Sequence, residues 1–170
     1  MFEVNDVIVY GAEGICRITG IESKTFSGEK KEYYVLKPET GSGSTIYVPL
    51  GNEKLLARMH RLPSREEVDA LINSLSDSVP NWIENDNERK VVYSRILADN
   101  DRRALIGMLK ALYLQKKERE AQRKFLRMSD ERIMKEAEQL LYNEWQYVLK
   151  ISREDLMAYI CDHVEKSAEP

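Results

Sequence analysis

Only two cysteines occur in 170 residues, Cys16 and Cys161, far apart in the chain. Neither belongs to a CxxC pair. A disulfide framework and a zinc site therefore have no support, and both residues are expected to be neutral or buried thiols. No apolar run approaches the ~20 residues that a membrane helix needs, and no basic-then-apolar leader opens the chain, so a cytosolic protein is expected. Also missing are a P-loop, a GxGxxG turn and a GxSxG elbow. The histidines His60 and His163 fit neither HExxH nor HxH spacing. Gly41-Ser42-Gly43-Ser44 lacks the Lys-Ser/Thr of a phosphate loop and is expected to be a hairpin tip. The carboxylates Glu66/Glu67 and Asp99/Asp101 lie at expected helix starts, where the helix dipole accounts for them. No catalytic constellation is visible. A protein without enzymatic activity, metal or cofactor is expected, and an enzyme whose site forms only in space is the weak alternative.

What is present is a change of period. Val7-Ile8-Val9-Tyr10, Ile15 to Ile21, Tyr33-Tyr34-Val35-Leu36-Lys37 and Thr45 to Pro49 are short β-branched or alternating runs. Turn residues separate them at Gly11/Gly14, Ser27-Gly28 and the Gly/Ser loop. This pattern predicts a small antiparallel SH3-like or Tudor-like five-stranded barrel, with an edge open for pairing. From Ser64 onward the pattern is helical. Ser64-Arg65-Glu66-Glu67 reads as a capping box before Val68, Leu71, Ile72 and Leu75. Pro80 interrupts helix between Ser76 and Asn87. Further helices are expected over Arg89 to Ala98, after Asp101, after Ser129 and after Ser152. Leu105, Met108, Leu109 and Leu112 form the clearest apolar stripe, and Trp145 falls on another and reads as core. The fold class is therefore α+β in two domains: residues 1–60 a β-barrel, residues 61–170 an all-α bundle of about five helices. Arg58 to Pro63 is either a hinge or a rigid joint.

The formal net charge is −3, with a pI of about 5.6. The charge is unevenly spread. Asp86 to Arg127 holds twelve basic and six acidic residues, a local +6, whereas Asp130 to Pro170 holds five basic and ten acidic, −5. Such polarity can orient a protein on DNA without strong overall attraction. The bland alternative is a solvated helix face laced with pairs such as Lys116/Glu120. Trp82 follows Pro80-Asn81, outside any helical stripe. Held on a loop, its indole could wedge against a base step in a minor groove. Alternatively it packs between helices and staples the two domains.

The residues Phe2, Val4, Asp6, Ile8-Val9-Tyr10, Gly14, Ile18, Ile21-Glu22, Tyr33-Tyr34-Val35-Leu36 and Ile46-Tyr47-Val48-Pro49 resemble the CarD-type transcription regulators. The same stretch resembles the polymerase-binding domain of transcription-repair coupling factors. The resemblance continues through Pro80-Asn81-Trp82, Leu112-Tyr113, Lys116-Lys117-Glu118, Ala137, Leu140-Leu141-Tyr142, Glu144 and Val148-Leu149, so that it spans Phe2 to Ile160. It implies a barrel that binds the RNA polymerase β subunit and a helical domain that binds promoter DNA near the upstream edge of the bubble. Binding to DNA would be weak and largely non-sequence-specific, and would stabilise the open complex. A monomer is expected, with no membrane partner.

The implied polymerase-binding residues are Lys24, Ile46, Tyr47, Val48 and Pro49. The implied DNA-binding residues are Trp82, Arg89, Lys90, Arg95 and Arg132. The chain departs from the family in having Gly11 and Glu13 where Pro and His are usual, and Ile83-Glu84 where an Arg often follows the Trp. Lys24 and Tyr47 stand where Arg is common. A protein–protein adapter whose helices bind protein is the alternative, favoured by Glu84 and the acidic C-terminus.

Overall fold

A computed structural model describes residues 1–39 and 43–168, with side chains as far as residue 162. Gly41 and Ser42 of the expected hairpin tip lie outside the described residues, as do the side chains of His163 and Val164. The chain divides into two compact units, Met1–Leu62 and Pro63–Pro170.

The first unit is one antiparallel sheet of β1 (Val7–Tyr10), β2 (Gly14–Phe26), β3 (Glu29–Pro38), β4 (Ile46–Pro49) and β5 (Met59–Arg61), in the order β4-β3-β2-β1-β5. A short helix, α1 (Glu53–Leu56), precedes β5. β2 and β3 are joined by Ser27 and Gly28, whose φ angles of 51° and 82° are those a type I′ hairpin turn requires. Register slips by one residue between Ile18 and Gly20, the bulge that bends β2. Ile8, Cys16, Ile18, Tyr34, Leu36, Val48 and Met59 form the core. The expected barrel is not closed. β4 and β5 are the two edges of an open sheet, and with four and three residues they are short. Residues 59–61, within the stretch read as a hinge or joint, are strand β5 paired with β1.

The second unit contains α2 (Arg65–Asn73), α3 (Asp86–Asp99), α4 (Arg102–Ala121), α5 (Met128–Leu149) and α6 (Arg153–Ala168). The starts of α2, α3 and α4 each have a local cause. Ser64 Oγ accepts from Glu67 N at 3.1 Å while Glu67 Oε2 accepts from Ser64 N at 2.8 Å, the reciprocal capping box. Asn85 caps α3 and Asp101 caps α4 through their side-chain oxygens. Asn100 and Lys150 end α3 and α5 in the left-handed region. The stripe Leu105, Met108, Leu109 and Leu112 is buried against Tyr93, Ala137, Leu141, Trp145 and Leu156. Side chains of this size each contribute roughly 1.5–3 kcal/mol on burial. On α3 the buried positions are Arg89, Tyr93 and Leu97, while Val91 is exposed. The helix starts three residues earlier than its apolar pattern indicates, and an arginine occupies the inward face.

Candidate functional site

The five polymerase-binding candidates divide by strand alternation. β4 pairs with β3 along one side only, and successive side chains on it point to opposite faces. The Val48 side chain is fully buried and that of Ile46 is partly buried against the core, so neither is presented as an open side-chain contact. Tyr47 is exposed at the edge, and the Lys24 ammonium sits 3.8 Å from its ring centroid. Its hydrogen bond and charge contact with Tyr47, and the nearby Glu22 carboxylate, hold the Lys24 pKa above its ordinary value. The Tyr47 ring meets Tyr33 edge-on at 6.4 Å, and Tyr33 meets the exposed Phe26 edge-on at 5.5 Å. The result is an aromatic row across β2, β3 and β4 with a cation on it. Pro49 is half-buried and brings no backbone N–H to the edge.

In the helical unit, residues 74–85 connect α2 to α3 and carry Trp82. Its indole is half-buried against the helical core. Neither of the two expectations describes it fully: one part is packed and the remainder is accessible. The Arg89 guanidinium carbon lies 4.4 Å from the ring centroid, a cation–π stack that fixes one face of the ring.

Arg89 itself is 2 % exposed. Nε and Nη2 donate to the two carboxylate oxygens of Asp130 at 2.9 and 2.7 Å. Nη2 also reaches Asp86 at 2.8 Å, and Nη1 donates to the Ile83 carbonyl at 2.9 Å. Burial alone would lower its pKa, but the Asp130 and Asp86 hydrogen bonds outweigh it and the pKa is raised. The hydrogen bond to Arg89 likewise holds Asp86 below the usual carboxylate range. A guanidinium so enclosed has no face for a phosphate, which corrects the expectation that Arg89 contacts DNA. Asp130, expected only to start α5, is its buried partner.

Lys90 and Arg95 are exposed on α3, but five residues apart they project about 140° from each other. They do not form one patch. Arg132 lies two residues beyond Asp130, about 200° around α5, and pairs with Glu136 at 3.7 Å. It points away from the Arg89–Trp82 stack and does not join it. Sequence reasoning missed Arg127, which pairs with Asp86 at 2.6 Å and so adjoins the same network. It also missed Phe125 and Met128, 90 % and 88 % exposed in and beside the α4–α5 connection. The available signal was two large apolar residues off any stripe, interleaved with Arg123, Lys124 and Arg127. Among the described residues no group of three His, Cys, Asp or Glu side chains could hold a metal ion, and no helix is long and apolar enough to cross a membrane.

Residues 2–61 match the CarD-like/TRCF RID domain family. The open five-stranded unit is thus a domain of the CarD-like/TRCF RID family. Such a domain points to a transcription-related role involving RNA polymerase.

Proposed function

We propose that the protein is a non-enzymatic bacterial transcription regulator that acts in the cytoplasm as a monomer. The N-terminal unit docks on the RNA polymerase β subunit through the face bearing Lys24 and Tyr47 at the β4 edge. The helical unit then meets promoter DNA at the upstream edge of the bubble, with the accessible part of Trp82 against the opened junction, Lys90 and Arg127 as nearby cations and Arg95 on a separate face of α3. Tethering to polymerase raises the local concentration of a weak DNA binder, so low intrinsic affinity is enough. Tighter binding to the opened junction than to closed duplex shifts the equilibrium toward the open complex by that affinity difference.

The observation that carries this reading is the domain match over residues 2–61. The test is recovery of polymerase by the tagged protein. Replacing both Lys24 and Tyr47 by Glu abolishes recovery on this reading, and undiminished recovery rejects that face as the docking site. One observation favours a second reading. With Arg89 enclosed and Glu84 exposed two residues from Trp82, fewer cations surround the indole than a DNA contact would use. In that case the helical unit is an adapter that binds protein.

A further inference from the structure

We propose that residues 74–85 form a preorganised mount for Trp82, and that Gly107 on α4 is the positioning residue that makes the mount possible. The inference rests on Trp82 being the DNA-contacting side chain. Leu75, Trp82 and Ile83 pack against the helical core, but little apolar burial holds the stretch between Leu75 and Trp82. Val79 is 81 % exposed, and Pro80 and Asn81 are exposed as well. A connection of that kind is ordinarily among the least stable parts of a fold.

Here its backbone is bound at successive points. Lys110 Nζ donates to the carbonyls of Leu75, Ser76 and Ser78 at 3.3, 2.9 and 2.7 Å. The Asn81 N–H donates to the Gly107 carbonyl at 3.1 Å, and the Asn81 carbonyl accepts from the Tyr93 hydroxyl. The Ile83 carbonyl accepts from Arg89. These groups come from two helix faces, since Gly107 and Lys110 are three apart on α4 and Arg89 and Tyr93 are four apart on α3. Trp82 is therefore fixed on both sides, at Asn81 and at Ile83, and along one ring face by Arg89.

Gly107 explains how the loop comes so close. Glycine is the poorest ordinary residue for a helix interior, yet Gly107 is buried in the first half of α4. A Cβ added there would stand 3.0 Å from the Val79 carbonyl oxygen and 4.0 Å from the Asn81 Cβ. The missing side chain is the space the loop backbone occupies. Helix propensity is given up at this position for the approach of the loop, and an indole already held in its bound pose loses less freedom on binding.

The test uses the full chain with Gly107→Ala and, separately, Tyr93→Phe, which removes only a hydroxyl from the same clamp. Amide exchange at Asn81, the Trp82 indole resonance, the denaturation midpoint and affinity for a forked DNA duplex are measured. For Gly107→Ala we expect an unfolding midpoint close to wild type, because the gain in helix propensity offsets the displaced loop. In both variants Asn81 exchanges faster, the Trp82 resonance broadens and fork affinity falls roughly 2–10-fold. Trp82→Ala then costs less in the Gly107→Ala background than in wild type, because the two act through one pose. A purely structural role for Gly107 would not produce that coupling. Asn81 exchange as slow as wild type in both variants overturns the mount, as does an equal cost of Trp82→Ala in both backgrounds. Faster Asn81 exchange in a protein whose wild type shows no preference for a fork supports the mount and rejects the DNA reading.

Discussion

Arg89 stacks on Trp82 at 4.4 Å while binding both carboxylate oxygens of Asp130, forty-one residues further along the chain. The indole proposed to meet DNA is thus anchored to the start of α5 through an arginine that never reaches solvent.

Removing one partner of this pair leaves the other charged and buried. Arg89→Ala should destabilise the helical unit by roughly 3–5 kcal/mol, read by chemical denaturation. Replacing Arg89 by Met and Asp130 by Leu together should recover most of that loss, since well-packed apolar groups commonly match a buried ion pair. A double variant as unstable as the single one would show that the pair is itself a source of stability.

Lys90 is exposed beside the stack, whereas Arg132 faces elsewhere and pairs with Glu136. In salt titrations on forked DNA, Lys90→Gln should reduce the slope of log affinity against log salt by about 1. Arg132→Gln should leave it unchanged. The reverse pattern would move the DNA path to the other side of α5.

Burial pushes the Cys16 thiol up to about 11, with the Glu13 and Glu39 carboxylates adding to it, and pushes the Tyr93 phenol up to about 12 against the opposing pull of Arg89. Both groups keep their protons to higher pH when folded than when unfolded. The unfolded chain therefore binds fewer protons above pH ~9, and stability falls as pH rises from there through about 12. Denaturation midpoints should decline over that window for both units. At pH 8 iodoacetamide should modify the exposed Cys161 promptly and the buried Cys16 only after unfolding. Prompt reaction of both thiols would contradict the packed sheet core.

Local chemistry was legible in the sequence where its cause was local. Ser64 and Glu67, the Asp101 cap, the Leu105–Leu112 stripe and the buried Trp145 all stand as their spacing indicates. The β2–β3 hairpin extends well past its apolar centre, because Glu22 to Thr25 and Lys30 to Glu32 are polar on both faces and carry no alternation. β5 has only three residues and no pattern of its own; it exists because β1 offers an edge. The larger miss was Arg89. Counting charge along the chain treats every arginine as solvated, and nothing within a few residues reveals that Asp130 returns to enclose it. The same holds for Gly107, whose reason is a carbonyl on another segment. Tyr47 and Val48 are adjacent in sequence but on opposite faces of an edge strand, so a contiguous motif does not show which of its side chains are exposed.

The lifetime of the promoter open complex, measured with polymerase and the full-length protein, tests the account most directly. Wild type should lengthen that lifetime and Trp82→Ala should lose most of the effect while still co-purifying with polymerase. An equal lifetime with wild type and Trp82→Ala, at equal polymerase occupancy, would contradict it.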